Sequence, residues 1–429
     1  MEFRIEKAKG LRGEIIVPGD KSISHRALIF TAIAEGESPI KNFLPAKDCI
    51  STLNCLKALG VKIEKKSPTE LVVQGVGLFG FNEPEDILDV GNSGTTLRVL
   101  PGLLAAQDFF SVLTGDDSVR RRPIKRITGP LQEMGAEIWA RKKGTRAPLA
   151  IKGSHLHGIV HTSIVPSAQV KSAILLAGLL AEGRTILIEE TKSRDHTERM
   201  LDFLGSDITF EDKRVIVYGK KKLSSGTIEI PGDISSAAFF IAGALVLAES
   251  ELVVNGVGVN PTRTGILDVL GKMGAEIEIT NKKVKNEEPQ ADISIKFSKL
   301  FAAQVGGETI PLIIDEIPVL AVVATQAIGQ TVVKDAGELR VKETDRITAI
   351  CSELKKLGAD IIEQEDGFKV KGPTKLKGTR VKSYGDHRIA MALAVAGLIA
   401  EGETIIEDFE CTDTSFPGFE KLLRSVLYR

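Results

Sequence analysis

Apolar and polar positions along this chain follow two periods, and the switches between them recur. Ile15-Ile16-Val17 is a short apolar run that predicts a strand, and Ala27 to Ala34 predicts a helix. Two longer patterns repeat. In the first, a helix tail closes on glycine and enters a strand: Ala34-Glu35-Gly36-Glu37-Ser38, Ala181-Glu182-Gly183-Arg184-Thr185 and Ala400-Glu401-Gly402-Glu403-Thr404. Weaker copies begin at Ala105, Ala248 and Ala327. Glycine at the first position beyond a helix accepts the left-handed conformation that ends it. In the second, Leu-x-x-Leu/Met-Gly precedes a strand, at Leu56 to Gly60, Leu131 to Gly135, Leu201 to Gly205, Leu270 to Gly274 and Leu354 to Gly358. Met-Gly-Ala-Glu-Ile stands at both 134–138 and 273–277, and Phe419-Glu420-Lys421-Leu422-Leu423 reads as a truncated sixth copy.

The repeats predict about six units of roughly 70 residues, each strand–helix–strand–helix–strand. Units of that size cannot each bury a core, so they share one, three to a domain. Pro231-Gly232-Asp233 echoes Pro18-Gly19-Asp20 and follows a polar Gly/Ser-rich stretch, which suggests a chain that crosses twice between two lobes.

Composition narrows the function. A chain of 429 residues with 43% hydrophobic and 26% charged residues fits a soluble two-domain protein. The net charge of −1 offers no basic field for nucleic acid or an acidic membrane. Aromatic residues are only 5%, with one tryptophan, Trp139, which disfavours base stacking. Cys49, Cys55, Cys351 and Cys411 form no zinc-like spacing and read as reduced thiols of a cytosolic protein. The first residues carry no signal-peptide pattern, and runs such as Ile389 to Ala400 are too short to span a bilayer.

Any anion site must therefore be local. Pro18 to Arg26 puts Lys21, Ser22, Ser24 and Arg26 at a helix start, where unpaired backbone N–H groups favour an anion. Similar starts occur at Gly91-Asn92-Ser93-Gly94-Thr95-Thr96-Leu97-Arg98, Pro166-Ser167-Ala168-Gln169-Val170-Lys171-Ser172 and Tyr384-Gly385-Asp386-His387-Arg388. Arg120-Arg121-Arg122-Pro123 is a basic loop in which two arginines are expected to be solvated. Should a helix begin after Val341, Lys342 and Arg346 share a face, the alternative being an i,i+3 salt bridge between Glu343 and Arg346. Asp315-Glu316 before Ile317-Pro318 reads either as a helix start with first-turn acids or as a base near a substrate hydroxyl. Such a site suits substrates that carry phosphate and carboxylate groups.

In order along the whole chain these motifs resemble the 5-enolpyruvylshikimate-3-phosphate synthase family. The matching stretches are Gly19-Asp20-Lys21-Ser22, Gly91 to Thr96, Arg122-Pro123, Ser167-Ala168-Gln169, Arg340-Val341-Lys342-Glu343-Thr344-Asp345-Arg346 and Gly385-Asp386-His387-Arg388. The resemblance implies an α/β fold of two similar lobes, each of three βαβαββ units in an inside-out α/β barrel, with the active site in the interdomain cleft. The lobes would be 20–231 and 1–19 plus 232–429, with crossovers near 19–21 and 231–233.

It further implies transfer of the enolpyruvyl group of phosphoenolpyruvate to the 5-hydroxyl of shikimate 3-phosphate, in the shikimate pathway. Addition is followed by elimination of phosphate, with no cofactor and no metal. The expected partners are those two small molecules, with no nucleic acid or membrane, for a monomer in the cytoplasm. Shikimate 3-phosphate would be held by Lys21, Ser22, Arg26, Ser167, Ala168, Gln169, Arg194, Asp315 and Lys342. Phosphoenolpyruvate would be held by Lys21, Gly94, Arg122, Gln169, Arg346 and Arg388. Asp315 would accept the hydroxyl proton, Glu343 would exchange a proton at the methylene carbon, and Lys21 joins them as a catalytic residue.

Two features depart from the better-known members. A lysine expected before Phe416-Pro417 is replaced by Thr414, and Arg194-Asp195-His196-Thr197-Glu198 resembles a subgroup often tolerant of glyphosate, while Gly94 is the small residue usual in sensitive enzymes. The nearest rival transfers enolpyruvyl to UDP-N-acetylglucosamine, but usually opens on Lys-Asn and carries a cysteine in the loop that here runs from Thr114 to Pro123 without one. A non-catalytic phosphometabolite binder would not account for Asp315 and Glu343, and an RNA phosphate cyclase relative shares only the repeat.

Overall fold

Five helices end alike in the computed structural model, which describes residues 1–428. Lys47–Ala58, Lys125–Glu133, His196–Phe203, Gly265–Lys272 and Arg346–Lys356 each stop just before the last leucine or methionine of a Leu-x-x-Leu/Met-Gly stretch. The glycines that follow are left-handed, with φ of 89° at Gly60, 99° at Gly135, 79° at Gly205, 92° at Gly274 and 92° at Gly358. The next N–H then turns back to the leucine carbonyl, as from Val61 to Leu56 at 3.0 Å and from Ala359 to Leu354 at 2.9 Å. This closure satisfies carbonyls that a helix end leaves unpaired, and glycine takes it without a Cβ penalty.

The Ala-Glu-Gly tails differ from expectation. Gly183 and Gly402 are left-handed, but each lies one residue further from its helix than the first position beyond it. The first helix, Lys21–Ala32, stops short of Ala34, and Gly36 lies within the strand Ala34–Lys41. That strand is claimed from its first residues by antiparallel pairing with Glu70–Val76.

Every repeat but the last closes on two strands rather than one. Val160–Ser163 runs parallel to Arg184–Glu189, which runs antiparallel to Arg214–Tyr218, itself paired with Ile208–Glu211. The same ladder joins Gln304–Val305, Gly329–Val333, Gly367–Gly372 and Asp360–Gln364. In the last repeat Arg380–Lys382 runs parallel to Glu403–Glu407, and the antiparallel neighbour is supplied from the chain start by Phe3–Glu6.

The chain divides into two compact units: Met1–Pro18 with Pro231–Val284 and Pro289–Arg429, and Gly19–Ile230 with Lys285–Glu288. Strands alternate buried and exposed positions, as in Phe3–Glu6, so their sheets keep a wet face. The central helices do not. Within the helices Lys21–Ala32, Ala168–Leu180, Ile234–Val246, Ile317–Ala324 and His387–Ile399, nearly every residue is buried. A helix apolar all round is stable only when surrounded, which places helices inside and sheets outside. Among the described residues no helix is long and apolar enough to cross a membrane.

Candidate active site

The buried helices start on polar residues. Asp20 accepts from the Ile23 N–H at 2.9 Å, Ser93 from Thr96 at 3.1 Å, Ser167 from Val170 at 3.4 Å and Asp386 from Arg388 at 2.8 Å. Lys21, Ser22, Gly94, Ala168, Gln169 and Arg388 stand in the first turns that follow, because an interior helix can meet a ligand only at its end.

In the unit that begins at Gly19, Lys21 is the first residue of its helix, and its Nζ lies 2.5 Å from Asp48 Oδ2. Arg26 lies one turn deeper and is buried. It donates to Thr197 Oγ1 at 2.8 Å, Ser172 Oγ at 2.7 Å and the carbonyls of Ser22 and Ala168 at 3.0 and 3.3 Å. All four acceptors are neutral. Burial pushes its proton affinity down to about 10 against the pull of Glu198 and Asp20, which lie near but are not bonded to it, and Arg194 adds a like charge. Gln169 accepts from Arg98 at 3.0 Å and donates to Thr95 Oγ1 at 3.0 Å. Arg122 is buried and reaches Ser118 Oγ at 3.1 Å and Asn92 Oδ1 at 3.3 Å. Of its neighbours, Arg121 is exposed and Arg120 is half-buried against Asp117. Gly94 sits against two guanidinium groups: an added Cβ would lie 2.7 Å from Arg122 Nη1 and 3.0 Å from Arg98 Nη1. The structure thus links Gly94, Arg122, Gln169, Ala168 and Arg26 through Arg98 and Ser172.

In the other unit Arg346 gathers the acids. Its Nε donates to Asp386 at 2.8 Å, Nη1 to Asp315 at 3.2 Å and Nη2 to Glu343 at 2.7 Å. Arg388 is buried differently. Its Nε and Nη1 have no hydrogen-bond partner among the described residues, and its guanidinium lies 5.9 Å from the centre of the Phe239 ring. Lys342 does not open a helix. The 3-10 turn Gly337–Val341 ends before it, Lys342 is extended, and the helix starts at Arg346 behind Asp345, whose carboxylate accepts from the Thr348 N–H at 3.1 Å. Arg340 ties off that turn by holding Asp345 at 2.7 Å and Glu363 at 3.0 Å. Lys342 and Arg346 therefore share no helical face, while the Glu343–Arg346 bridge does form. Glu316 is buried and Asp315 is a fifth exposed, so the two acids part company. Thr414 lies half-buried in the 3-10 turn Phe409–Thr414.

The sequence shows Arg98 at the end of the glycine-rich stretch but assigns it no role. Lys171 stands in a helix start that the sequence singles out, but its pairing is not legible there: it is a buried ammonium 2.8 Å from Glu189 and 2.7 Å from Glu198. Burial alone would lower the proton affinity of Lys171, but Glu198 and Glu189 raise it. No local signal marks that triad, because its members meet only in the fold.

Comparison with known proteins agrees over the full length. The EPSP synthase (3-phosphoshikimate 1-carboxyvinyltransferase) family model matches residues 5–423. A 3-phosphoshikimate 1-carboxyvinyltransferase of Pelotomaculum thermopropionicum is 52% identical over 428 residues, covering 100% of this chain and 99% of that protein. One from Brevibacillus brevis is 52% identical over 421 residues, covering 98% and 99%. The solved structure of EPSP synthase from Acinetobacter baumannii superimposes with a TM-score of 0.89 at 43% identity, over 99% of this chain and 98% of that one. The likeness extends through the helix starts that carry the clustered cations and acids, and the chain belongs to the EPSP synthase family.

Proposed function

We propose that this chain transfers the enolpyruvyl group of phosphoenolpyruvate to the 5-hydroxyl of shikimate 3-phosphate, releasing phosphate. The observation that carries this function is a contrast among buried arginines. Arg346 is neutralised by three carboxylates, whereas Arg26 and Arg388 are buried with no carboxylate bonded to them. A buried guanidinium with no anion bonded to it is costly, and a phosphate or carboxylate on a substrate supplies one.

Arg26, Lys21, Ser22, Ser167, Ala168, Gln169 and Arg194 hold shikimate 3-phosphate in this proposal, with Lys342 and Asp315 also reaching it. Arg122, Gly94, Arg388, Lys21, Gln169 and the two N–H bonds of Arg346 not already engaged hold phosphoenolpyruvate. Asp315 takes the proton from the 5-hydroxyl as its oxygen bonds to C2 of phosphoenolpyruvate, and Glu343 delivers a proton to C3. Glu343, now a carboxylate, takes a proton back from C3, which expels phosphate from C2 and leaves the enol ether. Lys21 and the arginines offset the charge that moves between these steps. A carboxylate held by a cation can serve a proton transfer in either direction once its surroundings set its affinity. The enzyme is proposed to work as a single chain in the cytoplasm.

The test is phosphate release from phosphoenolpyruvate by purified protein with either of two acceptors. Release with shikimate 3-phosphate alone is expected. Release only with UDP-N-acetylglucosamine would move the acceptor, and tight binding of both anions without release would leave a binding protein.

A further inference from the structure

The turn before Arg388 contains an aromatic residue in a conformation that aromatic residues rarely adopt. Tyr384 has φ of 56° and Gly385 has φ of 70°, and the Asp386 N–H donates to the Ser383 carbonyl at 3.0 Å. Two left-handed central residues closed by that bond make a type I′ turn, whose first central position favours asparagine, aspartate or glycine. A tyrosine there is strained, and strain of this kind persists only where surrounding contacts hold it.

The holding contact is visible. Tyr384 Oη donates to Glu353 Oε1 at 2.6 Å, and the Lys382 N–H donates to Glu353 Oε2 at 3.0 Å. Glu353 is fully buried, and Lys356 Nζ donates to both of its oxygens at 2.9 and 2.8 Å. Glu353 and Arg346 are seven residues apart on the helix Arg346–Lys356, and so on one face. That face grips the loop twice, with Glu353 on residues 382 and 384 and Arg346 on Asp386 at 2.8 Å. Asp386 in turn accepts from the Arg388 N–H at 2.8 Å.

We infer that Glu353 and Tyr384 are positioning residues that set where the guanidinium of Arg388 meets the anionic substrate. The inference rests on the assignment of Arg388 to phosphoenolpyruvate. Neither residue touches substrate. Their bond registers the strained turn against the helix that carries Arg346, so both arginines are referred to one frame.

The experiment is steady-state kinetics of Tyr384→Phe and Glu353→Gln against the parent protein, with thermal unfolding alongside. Tyr384→Phe keeps the ring and loses only the hydroxyl. The expected result is a 5- to 20-fold rise in KM for phosphoenolpyruvate, with KM for shikimate 3-phosphate within 2-fold of the parent. Tyr384→Gly, which relaxes the turn but cannot reach Glu353, is expected to show the same selective rise. A lowered melting temperature with both KM values unchanged would make the contact merely structural and overturn the inference. Equal rises in both KM values would overturn it too. A parent protein that turns over neither substrate would overturn the functional assignment itself, an outcome distinct from an active parent with unaffected variants.

Discussion

Arg346 and Asp386 form a wholly buried pair, with Nε donating to Oδ2 at 2.8 Å, the arginine 2% exposed and the aspartate 0%. The same guanidinium also holds Asp315 and Glu343. Burial opposes its charge, but Asp386, Glu343 and Asp315 more than reverse this and hold its proton affinity above the ordinary arginine value. Arg346→Met strands three carboxylates without their cation. It is expected to destabilise the fold by about 3–5 kcal/mol, read by chemical denaturation. Arg346→Lys keeps the charge but not the fork, and is expected to abolish most turnover at a smaller cost in stability.

Gly94→Ala places a methyl group against the far ends of Arg122 and Arg98. Both side chains can shift, so the cost in stability is expected to stay below about 1 kcal/mol. The displaced guanidinium groups should raise KM for phosphoenolpyruvate about 10-fold or more, since misplaced binding groups are costly. Unchanged kinetics would show that neither arginine serves that substrate.

Asp315→Ala and Glu343→Gln are each expected to lose most turnover while still binding shikimate 3-phosphate, measured by calorimetric titration. Near-normal turnover in either variant removes that residue from the chemistry.

His25 gives a pH signature. It is fully buried and its Nδ1 lies 2.7 Å from Thr52 Oγ1. Burial foremost, with Lys21 and Arg26 nearby, holds its pKa well below the ordinary 6.5. The unfolded chain therefore takes up a proton there that the folded chain refuses. Its contribution is fully present above about pH 6.5 and is lost as the pH falls below it, at up to about 1.4 kcal/mol per unit. Denaturation at pH 7 and pH 5 should show that loss, and His25→Gln should lessen it.

What was legible in the sequence was local. Leu56 to Gly60 and its four companions show their helix ends because a left-handed glycine and a leucine four residues earlier are one local device. The buried helices are legible as apolar runs behind polar starts. What stayed hidden depends on partners far along the chain. The helix starts at Arg346 behind an Asp345 that is held by Arg340, which the distant Glu363 holds in turn. The role of Tyr384 needs Glu353, 31 residues away. Arg388 reads as an ordinary cation until the fold buries its Nε and Nη1 with no hydrogen-bond partner among the described residues.

The most direct measurement is the reaction run in D2O and followed by proton and phosphorus NMR, with phosphoenolpyruvate and shikimate 3-phosphate together and each alone. The expected result is a new enol ether at the 5-oxygen, stoichiometric phosphate, and deuterium in the methylene group only when both substrates are present. Phosphate release with no deuterium in the methylene group would contradict the addition and elimination assigned to Asp315 and Glu343. No enol ether at all would contradict the transfer itself.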